Sequence, residues 1–191
     1  MGEVKYIGLD ISTAIIGLCF LDTNYNLVDL QAINLKKVKC TFQKSLVVKD
    51  RLNELRSNYN ILEDVEISIE EAFQSFSKGF SSAKTLSQLN RFNGIVSYLV
   101  YDIFNKNPDY INVNSARKSL GIKIDRKSDK NTKEQVFEWV KSEIEFSWPT
   151  KTLKSGPNKG LVKNDESCYD MSDAYVICRA LKYNDKSNNK K

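Results

Sequence analysis

Histidine is absent from the 191 residues. That removes Ser-His-Asp triads, histidine general bases, His-containing zinc sites and His-Asn-His nuclease motifs together. Hydrolytic chemistry here has to use carboxylates, lysines or hydroxyls, and carboxylates favour hard cations such as Mg2+ or Mn2+. No C-x-x-C pair occurs, so Cys19, Cys40, Cys168 and Cys178 read as reduced, mostly structural thiols. No apolar run is long enough to span a bilayer. No charged-then-apolar leader precedes the first apolar stretch at Val4. Tyr6 stands where a myristoylation signal has Ser or Thr. The expectation is a cytoplasmic protein, or one used in a host cytoplasm, with no membrane partner.

What is present suits one domain. The hydrophobic content is 41%, enough for a sizeable core. The formal net charge of +5 is a mild basic excess, compatible with a polyanionic partner. Residues 1–183 are expected to form the domain and 184–191 a disordered basic tail.

Alternation predicts strands over residues 4–11, 15–22 and 27–34, forming an antiparallel meander. Helical spacing follows over 43–58. The run 64–70 alternates Val65, Ile67 and Ile69 and reads as a strand that lies parallel to the first, since a helix precedes it. A long helix is predicted over 82–105, stopped by Pro108. A short strand over 109–113 and a short helix ending at Gly121 come next. The basic stretch 121–133, rich in lysine and arginine, reads as a loop before a helix over 132–146. Residues 147–169 hold Pro149, Gly156, Pro157 and Gly160 among Lys151, Lys154, Lys159 and Lys163, and read as a flexible basic loop. A final helix covers 170–183. This order predicts an α/β fold: a mixed five-stranded sheet, made of a three-strand antiparallel meander plus two parallel strands, with helices on both faces.

Asp10 lies inside the stretch Ile-Gly-Leu-Asp-Ile-Ser, flanked by apolar residues on both sides. Buried strands rarely tolerate an unpaired carboxylate. Glu70 ends the fourth strand. If the two strands are parallel neighbours, both acids meet at one sheet edge, where open α/β sheets form their sites. Asp170 and Asp173 share a helix face at i and i+3. The stripe of Ala174, Ile177 and Leu181 would dock that helix and carry them to the same edge. Four acids at close range repel unless neutralised. Two divalent cations roughly 4 Å apart would do so and would run phosphodiester hydrolysis.

Three motifs give the chain a specific resemblance. Ile-Gly-Leu-Asp10 with Gly17 after it, Ile69-Glu70-Glu71-Ala72-Phe73, and Asp170-Met-Ser-Asp173-Ala174 occur in the order that the RuvC family of Holliday-junction resolvases carries them. The chain resembles that family, within the RNase H-like superfamily, from about residue 5 to residue 181. The resemblance implies a crossover junction endonuclease for DNA recombination and repair. It selects Glu70 over Glu71 and implies that Asp10, Glu70, Asp170 and Asp173 hold two Mg2+ ions, with Mn2+ as substitute. It implies a catalytic or phosphate-facing Lys133. It places Phe73 near the junction crossover and Arg117 and Lys118 against DNA. Lys78, Lys84, Lys123, Arg126, Lys127 and Lys130 join Lys133 as candidate DNA contacts. The 147–169 loop looks longer than in bacterial forms, and Ile11-Ser12 stands where those often have Pro-Gly. These departures suggest a phage, viral or organellar branch.

A four-way junction has two-fold symmetry and needs two nicks, so a homodimer is expected, with the long helix 82–105 as its face. Other branched DNA, such as forks and flaps, remains an alternative substrate, and a non-catalytic RNase H-like binding module an alternative class. An actin-like or sugar-kinase-like ATPase also opens on Gly-x-Asp, but the chain is short for two such domains and shows no second Gly-rich phosphate loop. Ser12 stands where a proofreading exonuclease would have Glu. Transposase cores end on a helical Glu, whereas this chain ends on Asp-x-x-Asp.

Overall fold

Alternating side chains near the N-terminus build a meander of β1 (Glu3–Ile11), β2 (Ile15–Leu21) and β3 (Leu27–Asn34), antiparallel throughout. The computed structural model describes residues 2–71 and 83–188. Ser12 closes the first link: its Oγ accepts from the amides of Ala14 and Ile15 and donates to the Ile15 carbonyl. Asp22 closes the second, where its Oδ1 accepts from the amides of Asn24 and Asn26.

After α1 (Thr41–Asn58), β4 (Asn60–Glu70) returns parallel to β1. After α2 (Ala83–Phe104), β5 (Asp109–Ile111) lies parallel to β4. The sheet order is β3-β2-β1-β4-β5, the predicted mixed sheet of a meander plus two parallel strands. The chain continues through α3 (Val113–Ser119), α4 (Thr132–Glu143), a small antiparallel pair β6 (Thr150–Thr152) and β7 (Val162–Asn164), and α5 (Ser167–Asn188).

Period-two alternation sorts each strand's side chains between two cores. Ile7, Leu9, Ile16, Leu18, Val65, Ile67 and Ile69 face α1 and α2, meeting Val48, Leu52, Phe92, Val96 and Val100. Tyr6, Cys19 and Leu21 face the opposite layer, with Val136 and Val140 of α4 and Ala174, Ile177 and Leu181 of α5. The four cysteines are free, and all but Cys40 are buried.

Several details differ from the sequence expectation: β4 already begins at Asn60 and β5 ends at Ile111. The stretch 147–169 is not one loop: it contains the β6–β7 hairpin and the start of α5. Helix α5 begins at Ser167 and runs to Asn188, past residue 183 and into the stretch expected to be a tail. Helix α4 stops at Glu143, short of Phe146. Phe146 instead packs edge-on to Trp148 at 5.1 Å, and Trp148 packs edge-on to Phe137 at 4.8 Å, so ring packing draws the chain out of the helix. Among the described residues, no helix is long and apolar enough to cross a membrane.

Candidate active site

The strand register brings the first two acids together. Leu9 is opposite Ile69 in the parallel β1–β4 pair, so Asp10 and Glu70, each one residue further, point to the α5 side. Asp10 is only 6% exposed. Its carboxyl is hydrogen-bonded to that of Glu70. Burial pushes the Asp10 carboxyl well above the usual range. The Glu70 hydrogen bond, the Glu70 charge and the charges of Asp173 and Asp170 push the same way.

Two glycines let α5 reach this edge. Gly17 is the register partner of Asp10 on β2. A Cβ at Gly17 would lie 2.0 Å from the Asp170 carbonyl oxygen, and one at Gly8 2.4 Å from Cys178 Cβ. Their missing side chains are therefore filled by the backbone of α5, which lays Asp170 and Asp173 directly over β1 and β2. Both aspartates are buried. Burial raises the Asp170 carboxyl, and the attraction of Lys133 only partly opposes this.

Two basic groups answer the four acids. Asn131 and Glu134 form a capping box that starts α4, Asn131 accepting from the Glu134 amide and Glu134 from the Asn131 amide. This fixes Lys133 in the first turn, where a positive charge opposes the helix dipole. Its Nζ lies 3.6 Å from Asp170 Oδ1. Partial burial pulls its ammonium down, but Asp170, Asp10 and Asp173 outweigh that and hold it above its ordinary value. A locally unfavourable lysine held by three acids is the kind of conflict that functional sites carry.

Arg117 of α3 supplies the second cation. Its Nη2 donates to Asp173 Oδ1 at 3.0 Å, and its side chain is 15% exposed. Its Nε is buried without a hydrogen-bond partner. Arg117 therefore turns inward to a site acid, rather than lying on an open surface as Lys118 does. Among the described residues, two cations against four carboxyl groups leave a formal excess of negative charge once all four acids are ionised. That excess and the all-oxygen donor set fit a hard divalent cation. Among the described residues, no group of three or more His, Cys, Asp or Glu side chains is placed to hold a metal ion.

Of the other expected DNA contacts, Lys84 is exposed at the start of α2 and Lys118 at the end of α3. Lys123, Arg126, Lys127 and Lys130 are exposed on the connection between α3 and α4. That connection is ordered by Gln135, whose Nε2 donates to the carbonyls of Asp125 and Lys130. Lys130 is already paired with Glu138 at 2.5 Å. Phe73 and Lys78 lie outside the described residues. Asn93 of α2 was not singled out in the sequence, although it interrupts an apolar helix stripe. Its Nδ2 lies 3.4 Å from the Glu70 carbonyl, and Ser97 Oγ donates to the Asn93 carbonyl at 2.8 Å. The pair ties the buried face of α2 to the end of β4.

No protein-family model and no curated protein matches the chain. Solved structures do. A Thermus thermophilus RuvC in complex with a Holliday junction substrate superposes with a TM-score of 0.61 at 12% identity, covering 95% of this chain and 94% of that one. A second Thermus thermophilus RuvC structure gives a TM-score of 0.57 at 12% identity, with 95% of each chain covered. Over nearly its whole length, the chain has the RNase H-like fold of those RuvC structures.

Proposed function

We propose that the chain is a divalent-metal-dependent endonuclease that resolves four-way DNA junctions by paired phosphodiester hydrolysis. The observation that carries this reading is the meeting of Asp10, Glu70, Asp170 and Asp173, from two strands and a helix, at one sheet edge. A bare carboxylate cluster repels a DNA phosphate, so the arrangement has chemical purpose only with cations between the two. The match to a RuvC structure holding a junction supports the substrate class.

The four carboxylates would hold Mg2+ or Mn2+, two ions per site. When bound, such ions supply an activated water and stabilise the leaving oxyanion. The protein's own groups do the rest. Gly8 and Gly17 keep α5 seated on the sheet, which sets Asp170 and Asp173 over β1 and β2. Lys133, more than half exposed and adjacent to Asp170, reaches the side from which a phosphate enters. Its raised ammonium stays charged at neutral pH and donates to a phosphate oxygen or holds the proton passed to the leaving group. Arg117 keeps Asp173 in one rotamer and balances part of the charge.

Two symmetric nicks call for a homodimer. Helix α2 presents Tyr98 and Tyr101 at 63% and 47% exposure and suits the expected face. The deciding experiment is a substrate panel of four-way junction, fork, flap and linear duplex in Mg2+ and in Mn2+. Paired cuts in the junction support the reading. Preferential cutting of forks or flaps reassigns the substrate, and binding without nicking on every substrate contradicts the nuclease.

A further inference from the structure

The β6–β7 hairpin is the feature that the carboxylate site leaves unused. All four of its charged residues between positions 150 and 164 are lysines: Lys151, Lys154, Lys159 and Lys163. Its base is pinned. Lys151 lies 3.3 Å from Glu166 and 3.8 Å from Asp165, and Lys36 also pairs with Glu166. Asp165 Oδ1 accepts from the amide and Oγ of Ser167, which starts α5. Those contacts consume both acids next to the hairpin.

The distal part is different. Gly156 and Gly160 take φ values of +80° and +90°, a conformation that side chains rarely adopt, and so form the tip. The Leu153 amide donates to the Leu161 carbonyl, and the Gly160 amide to the Leu153 carbonyl, which closes the tip on itself. Leu161 and Val162 are then left 56% and 59% exposed, with Lys159 and Lys163 exposed beside them. An adjacent pair of bare branched side chains, framed by lysines that form no ion pair among the described residues, suits a partner with a polyanionic rim and an apolar face. Branched nucleic acid offers both, because phosphates surround bases whose stacking is interrupted.

We propose that this hairpin is a second DNA-contacting element, separate from the carboxylates. Lys154, Lys159 and Lys163 hold phosphates, and Leu161 and Val162 pack on unstacked bases at the branch point. The inference rests on the proposed action on branched DNA. The hairpin leads through Asp165 into α5, whose first turn carries Asp170, so a branch point gripped by the hairpin is held in fixed relation to the site.

The test measures binding by fluorescence anisotropy with the full chain in EDTA, on a four-way junction and on linear duplex, across a salt series. One variant is Lys154→Ala/Lys159→Ala/Lys163→Ala; the other is Leu161→Ser/Val162→Ser. Lys151 is kept, because it anchors the base. The lysine variant should weaken binding to both DNAs by about tenfold or more near 0.1 M salt, with a shallower log–log salt slope. The aliphatic variant should keep that slope. It should lose junction preference and the fluorescence rise of a 2-aminopurine placed at the branch point. Wild-type affinity and slope in the lysine variant, or an unchanged 2-aminopurine signal in the aliphatic one, overturns the proposal while leaving the nuclease reading intact. A dimer that dissociates in the aliphatic variant, with DNA binding per protomer unchanged, assigns the tip to a second copy of the chain and also overturns it. A wild type that binds no DNA overturns both.

Discussion

A buried carboxyl hydrogen-bonded to a second carboxyl weakens a fold, and Asp10 is in that position. Its folded-state value is raised, so the folded chain holds a proton where the unfolded chain, near 3.9, has released it. Folding then binds protons, and the metal-free protein loses stability as pH rises from about 4 towards the raised value. Asp10→Asn should flatten that slope. It should also raise the metal-free Tm at neutral pH by about 2–4 °C, corresponding to ~1 kcal/mol. Calorimetry in EDTA across pH checks this, and a lower Tm for the variant contradicts it. Added Mg2+ should raise the wild-type Tm more at pH 8 than at pH 5, because binding needs the deprotonated acids. Lys133→Ala should lower single-turnover cleavage by about 10²-fold with junction affinity nearly unchanged, and Lys133→Arg should restore part of it. Equal affinity loss in both variants would make Lys133 a phosphate anchor only. The acids themselves were readable, since a carboxylate inside an apolar strand, another at a strand end and two at helical spacing each break a local rule. The inward turn of Arg117 was not, because the direction of a side chain on a seven-residue helix depends on how α3 docks against α5. Asn93 was missed for a related reason: in sequence it is one polar residue in an apolar stripe, and only tertiary packing gives it the Glu70 carbonyl.

The elements turn those residues into a site through one close approach. Helix α5 rests on β1 and β2 because Gly8 and Gly17 lack side chains there. Two small residues near a sheet edge are explained equally well by space for a DNA backbone and by tight packing. The distances select packing: the space belongs to the backbone of Asp170 and to Cys178. Gly17→Ala places a methyl group against a rigid helix backbone, so α5 has to shift and carry Asp170 with it. A loss of about 2 kcal/mol or more in stability is expected, in the range of overpacked cores, together with loss of cleavage. Gly94→Ala is the control: it meets open space on α2 and should stabilise slightly, as Gly-to-Ala changes in helices do. Chemical denaturation of both variants checks the pair, and equal effects would contradict the close-approach account. The hairpin was the element least legible beforehand. Its strands are three residues each, dominated by lysine and threonine, and too short for alternation to show.

The whole molecule follows from strand patterning more directly than from any single motif. Val65, Ile67 and Ile69 alternate with Glu66, Ser68 and Glu70, which commits β4 to a sheet with a core on one side and the acids on the other. The intervening helix α1 makes β4 parallel to β1, so the ends of both strands emerge at the same edge. Sheet order and the convergence of the acids were thus written in the alternation, while side-chain direction on the surface helices was not. At this scale the homodimer is also testable. Sedimentation of the full chain should give a dimer, and Tyr98→Glu/Tyr101→Glu on α2 should give monomers that bind a junction but do not make paired cuts. A variant that stays dimeric moves the interface elsewhere. The most direct test of the central claim is cleavage of a four-way junction in Mg2+ by the wild type beside Asp10→Asn. Wild-type cutting that EDTA abolishes, reduced at least ~10²-fold in the variant while junction binding persists, is the predicted result. Undiminished cutting by Asp10→Asn would contradict the carboxylate site.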